Sequence, residues 1–155
     1  MSLFVAVGEA DFDVGAELAR LEALGGGGVA SFTGVVRGGV GLENRALSAL
    51  RLEAYPGMTQ RALEEIAAAA AARWSLLGLT LIHRHGTLAV GERIVLAATA
   101  APHRRAALEA CAFLIDRAKT TAPFWKQEIF ADGTARWVEA RIEDDVAAAD
   151  WDGRR

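Results

Sequence analysis

The chain has 155 residues, room for one domain; 52% are hydrophobic and 24% charged, the balance of a globular protein with its own core. A net charge of −3 argues against a general nucleic-acid binder, which carries a basic excess, and a single cysteine, Cys111, rules out an internal disulfide and suits a reducing compartment. The opening MSLFVAVGEADFDV lacks the basic segment of a secretory signal, and no stretch approaches the roughly 18 uninterrupted apolar residues of a membrane span, so a soluble, cytoplasmic protein is expected.

In chain order, Leu3 to Val7 reads as a strand. Asp13 then caps a helix with Val14, Leu18 and Leu21 on one stripe, stopped by the glycine run at 25–28. Val29 to Val36 reads as a second strand, residues 37–44 as a glycine-rich loop, and Leu47 to Tyr55 as a third strand. The turn YPGMT, 55–59, offers Thr59 as a cap for a helix running to about Trp74, with Leu63, Ile66, Ala70 and Trp74 on one side. Its alanine run, 67–72, favours helix and permits close packing. Strands follow at Leu79 to His85 and Ile94 to Ala100, joined through GTLAVGE. A helix from about His103 to Thr120 presents Ala107, Cys111, Leu114, Ile115 and Ala118, and Pro123 ends it. Phe124 to Phe130 and Ala135 to Ala140 form a hairpin around Asp132-Gly133. Residues 1–142 make one domain, and 143–155 form a tail expected to fray or to dock on a partner. Helices and strands mix without strict βαβ repetition, which predicts an α+β fold.

The segment KTTAPFWK, 119–126, sets two cations on a stiff, apolar support. Lys119 falls at a helix C-terminus, where the dipole favours a cation. Lys126 falls in the next strand, on the face of Phe124 and Glu128, with Trp125 and Ile129 expected to turn into the core. An amine near a second cation and an apolar wall has a lowered pKa and acts as nucleophile or base; the same pair can instead hold an anion as two point charges. His103, Arg104 and Arg105 stand at a helix N-terminus, where positive side chains oppose the dipole unless an anion binds among them; the plain alternative is a frayed, exposed first turn. Arg37 lies where a strand meets a glycine loop. His83 and His85 alternate on a strand and lack a third ligand for a metal, which makes structural roles the expectation. Cys111, on an apolar helix face, reads as an inert core thiol. No P-loop and no GxSxG nucleophile elbow is present.

The pieces FTGVVR, LEAYPGMTQRALEEI, IHRHGTLAVGE, PHRRAALEA, KTTAPFWKQE and RWVEAR occur in this order. Together they resemble the large, catalytic subunit of molybdopterin synthase over roughly residues 3–142. The resemblance implies an α+β fold of the α/β-hammerhead type, a mixed sheet with helices packed on it and a C-terminal β-hairpin. It implies a homodimer, a heterotetramer once each protomer binds a small ubiquitin-like sulfur carrier ending in Gly-Gly. The carrier's thiocarboxylate would supply two sulfurs to cyclic pyranopterin monophosphate, giving the dithiolene of molybdopterin. No metal and no cofactor beyond these is implied. Position by position, Lys119 and Lys126 carry over as the essential lysines. Val35, Val36 and Arg37, then Lys126, Gln127 and Glu128, carry over as substrate contacts, as do His103 and Arg104, with Arg141 a further anion contact. Val35, Thr121 and Gln127 stand where many relatives have a basic residue, which implies a less positive pocket.

His103 and Lys119 are sixteen residues apart on one predicted helix, about 24 Å at 1.5 Å per residue. They cannot flank one small ligand within a protomer, so His103 and Arg104 are expected to reach the Lys119 pocket of a neighbouring copy. Two other readings predict different behaviour. A non-catalytic module for a phosphorylated small molecule or an acidic tail would lose only binding when Lys119 is removed. An RNA-binding α+β domain would need a basic face with exposed aromatics.

Overall fold

The computed structural model describes residues 1–40, 45–138 and 142–153, with the side chains of 142–144 outside the description. The α+β class holds, with the strands divided between two four-stranded sheets in the orders β1-β4-β6-β2 and β5-β3-β7-β8. The elements are β1 (Ser2–Gly8), α1 (Val14–Glu22), β2 (Gly28–Val35), β3 (Leu47–Ala54), α2 (Met58–Arg73), β4 (Gly78–Arg84), β5 (Gly86–Ala89), β6 (Arg93–Ala101), α3 (Arg104–Thr121), β7 (Phe124–Phe130), β8 (Ala135–Val138) and α4 (Ile142–Asp150).

The first sheet is mixed: β1 runs parallel to β4, while β6 is antiparallel to both β4 and β2. Its central strands are buried on both faces, which is why β4 and β6 read as near-continuous apolar runs rather than alternating ones. On one face Leu79, Leu81, Val95 and Ala97 meet Leu63, Ile66 and Ala70 of α2 and Ala107, Cys111, Leu114 and Ala118 of α3. On the other, Ile82, Leu96 and Ala98 meet Leu21, with Val14 and Leu18 of α1 packed alongside. The apolar stripes expected of all three helices are therefore the faces that pack on the sheet. Asp13 caps α1 as expected, accepting from Ala16 N at 3.0 Å. The glycine run does more than end α1. Gly25 adopts φ +80°, and a Cβ on Gly27 would lie 2.3 Å from the Pro102 carbonyl oxygen, so the chain passes there only without a side chain.

The second sheet is antiparallel throughout. Its strand β5 is four residues long, too short to stand out within the linking segment GTLAVGE. The hairpin β7–β8 turns at Asp132-Gly133, with Asp132 Oδ1 accepting from Thr134 N at 3.0 Å; the expected extension of β8 to residue 140 lies outside the described residues beyond Val138. Residues 41–44 of the glycine-rich loop also lie outside them.

Three local readings change. Thr59 does not cap α2, whose N-cap is Gly57; its Oγ1 accepts from Tyr55 N (2.9 Å) and donates to Pro123 O (2.9 Å), which ties the YPGMT turn to the turn after α3. Trp125 faces outward at 55% exposure, because the inward face of β7 is taken by Phe124, Glu128 and Phe130. The tail, expected to fray or to dock on a partner, instead forms α4 and a 3-10 turn that dock on the chain's own helices. Trp151, 5% exposed, meets Trp74 and Phe113 edge-on with centroids 5.6 and 5.7 Å away, and its Nε1 donates to Asp116 Oδ2 at 2.7 Å. Burying an indole with its N–H satisfied outweighs fraying.

Candidate active site

Where the two sheets face each other they leave a cavity of about 760 Å³. Its apolar wall includes Phe32 and Val95 from the first sheet and Leu50 and Leu52 from the second, with Ile94 packed against the cores of both. The strand β2 leaves its sheet at a bulge between Gly34 and Val35. Val36 then donates to Glu92 O (2.9 Å) and accepts from Gly91 N (2.9 Å), which holds residues 35–37 as one lip of the cavity. Val36 is buried, whereas Val35 and Arg37 are exposed.

The opposite lip is the segment that ends α3 and begins β7. Lys119 sits in the last turn of α3, exposed and favoured there by the helix dipole. Pro123 breaks the helix, and the Thr59 hydroxyl pins its carbonyl. The chain reverses into β7, which turns Phe124 and Lys126 inward. Lys126 lies opposite Leu52 and Val138, both of which also line the cavity. The two lysines are the only ones in the chain, and both face this space. Arg37 completes a set of three cations, with no carboxylate among the described lining residues. In a chain of net charge −3, three cations gathered on the described wall suit an anionic ligand.

His83 belongs to the same wall. Its ring stacks on Phe124 with centroids 3.9 Å apart and planes at 23°. Burial pushes its pKa down to about 4, and the nearby charges of Lys119 and His85 act in the same direction, so the imidazole is neutral. The sequence reading set this histidine aside as structural. The HRH alternation was visible, but the packing of β7 over β4 was not.

The remaining sequence candidates lie elsewhere. Gln127 and Glu128 do not line the cavity; Glu128 is 5% exposed on the inner face of β7, opposite Leu50 and Arg136. His103, as N-cap of α3, and Arg104 border a separate open depression with Arg105, Leu108 and Glu109. That depression is at the far end of α3 from Lys119, as the residue spacing requires. Arg141 lies outside the described residues. Cys111 is buried, with its Sγ donating to Ala97 O at 3.5 Å, and burial pushes its pKa up to about 11; it is a core thiol, remote from thiolate chemistry. No helix among the described residues is long and apolar enough to cross a membrane.

Known proteins are similar to this chain in sequence and in fold. The family model for MoaE protein matches residues 7–121. The chain is 51% identical over 144 residues to a molybdopterin synthase catalytic subunit from Mesorhizobium japonicum, covering 91% of this chain and 88% of that one. It is 47% identical over 150 residues to the one from Pseudomonas aeruginosa, covering 96% and 98%. A solved MoaE protein from Burkholderia ambifaria superposes with a TM-score of 0.79 at 44% identity, covering 98% of this chain and 99% of that one. Motif order, fold and relatedness across nearly the whole length agree, and the chain belongs to the MoaE family of molybdopterin synthase catalytic subunits.

Proposed function

We propose that this chain is a sulfurtransferase that moves sulfur from the thiocarboxylated C-terminus of a small ubiquitin-like carrier onto cyclic pyranopterin monophosphate, forming the dithiolene of molybdopterin. The observation that carries this reading is the cavity itself, lined by Arg37, Lys119 and Lys126 with no described carboxylate among them. Both reactants are anions, and a small enclosure with three donors can hold a phosphate, steer a thiocarboxylate beside it and stabilise the oxyanion that forms when the acyl carbon is attacked. The thiocarboxylate sulfur attacks a carbon of the pterin side chain and displaces the oxygen bonded there, which leaves as water or with the opened phosphate ester, giving an acyl thioester. Water then adds to the acyl carbon, the sulfur leaves on the pterin, and the carrier departs with an ordinary carboxylate. A second loaded carrier supplies the second sulfur.

In this scheme Lys119, beside the apolar wall, engages the substrate or the acyl group. Lys126 and Arg37 hold the phosphate, with the lip at Val35 and Val36 shaping the entrance. Gln127 and Glu128 support Lys126 from its own strand. His103 and Arg104 act on the cavity of a second copy in a homodimer, because α3 holds them about 24 Å from Lys119 in their own; Arg141 adds a further anion contact. The relatives' designation as a catalytic subunit fits a separate small subunit as sulfur donor.

The direct test mixes the purified chain with thiocarboxylated carrier and the pyranopterin, and looks for dithiolene product by mass spectrometry. Wild type should form it and Lys119→Ala should not. Equal product from both would reject the assignment, and binding without any product in wild type would favour a non-catalytic module.

A further inference from the structure

His83 has no part in the scheme above, yet it is the one aromatic nitrogen base on the cavity wall. Its Nδ1 lies 2.8 Å from the carbonyl oxygen of Arg84. A carbonyl only accepts, so Nδ1 carries the proton and donates, and Nε2, at the tip of the ring, keeps its lone pair. No described residue gives Nε2 a hydrogen bond. Protonation does not quench that lone pair at neutral pH: burial disfavours the imidazolium and outweighs the Arg84 carbonyl, whose hydrogen bond favours it, while Lys119 at the end of α3 and His85 on the same segment act with burial.

Among the described residues, the other polar side chains on the wall are Thr33, Arg37, Lys119 and Lys126. Arginine and lysine offer donors alone. A ligand that carried only acceptors would leave His83 Nε2 desolvated without a partner. One that presented an anionic group to the cations and an N–H to His83 would satisfy both sets. A pterin phosphate has this division, with phosphate oxygens at one end and ring N–H and amino donors at the other.

We propose that His83 is a specificity-determining substrate contact, its Nε2 accepting a hydrogen bond from an N–H of the pterin while Phe124, stacked on one face of the ring, holds the imidazole in that orientation. The inference rests on the function proposed above and adds the residue that reads the heterocycle rather than the phosphate.

Calorimetric titration separates the two. Wild type, His83→Phe and His83→Gln are each titrated with cyclic pyranopterin monophosphate and, separately, with inorganic phosphate. His83→Phe keeps a flat ring but removes the acceptor, and pterin binding should weaken about 10-fold, the cost of one lost hydrogen bond with its donor left unpaired. Phosphate binding should not change, and His83→Gln, whose amide oxygen accepts, should recover part of the loss. In wild type labelled with 15N-histidine, the Nε2 resonance should shift on saturation with the pterin and stay in place with phosphate. That readout needs no variant to fold. A pterin-saturated protein with an unmoved Nε2 resonance overturns the inference, as does wild-type pterin affinity in folded His83→Phe; either leaves the sulfur-transfer reading standing. A folded wild type that binds no pterin at all removes that reading and this inference together.

Discussion

Lys119 occupies an exposed position that costs the fold almost nothing to change. Its contribution to stability is a helix-dipole interaction of about 0.3–1 kcal/mol, so Lys119→Ala should melt within a few degrees of wild type while sulfur transfer falls by about 100-fold or more. Thermal melts and single-turnover product yields check both halves, and a large drop in melting temperature would mean that Lys119 is structural instead. His83 makes a prediction of opposite kind. An unfolded histidine takes up its proton near pH 6.5, but in the fold it resists protonation down to about 4. The folded state should therefore lose stability as pH falls from 6.5 to 4, on the order of 3 kcal/mol in all, with no further loss from this group below 4. Denaturant titrations across that range should show a flatter profile for His83→Gln, and parallel profiles would contradict the burial argument. At this scale the sequence exposed the lysines because cations beside Pro123, Phe124 and Trp125 conflict with both a plain core and a plain surface. It concealed His83, because what makes that ring unusual is Phe124, forty-one positions away, laid over it by tertiary packing.

Between elements, one hydroxyl links two turns. Thr59, 1% exposed, joins Tyr55 N to Pro123 O and so fixes where β7 starts after α3. Thr59→Ala strands a buried donor and acceptor, which should cost about 1–3 kcal/mol. It should also raise KM for the pterin, because the turn it holds sets the spacing of Lys119 and Lys126. Thr59→Ser should restore both. The docking of the C-terminal segment is tested by Trp151→Ala, which should destabilise by about 3–5 kcal/mol as a buried aromatic is lost; an unchanged denaturation midpoint would mean that the segment is loose in solution. Helices were the most legible elements, since a three-and-four spacing of apolar residues survives in any context. The face of β7 was not. Strand alternation gives two faces, and only the partner strands decide which is inward; Trp125, the larger ring, lies outside because Phe124 and Phe130 fill the inner side.

For the whole molecule, neither sheet contains the site. The first supplies the Phe32–Val35 wall and His83, the second supplies Lys126, and α3 ends at the seam between them with Lys119. The α+β class was readable from the order of elements. The division into two sheets was not, because pairing between β3 and β7 joins positions 70 to 83 residues apart. The length of α3 also sets its two ends to work in different places, which predicts a site completed by a second copy. Chains carrying Lys119→Ala and chains carrying His103→Ala, each inactive alone, should regain activity when mixed, and a mixture as inactive as its parts would confine the site to one protomer. The sharpest test of the cavity uses the scarcity of lysine. With ε-amines only at 119 and 126, lysine-directed acetylation followed by peptide mass spectrometry reports on this site and no other lysine. Cyclic pyranopterin monophosphate should slow the acetylation of both residues, and dithiolene formation should fall in step with their modification. A chain acetylated fully at both positions that still produced the dithiolene at the wild-type rate would contradict the account.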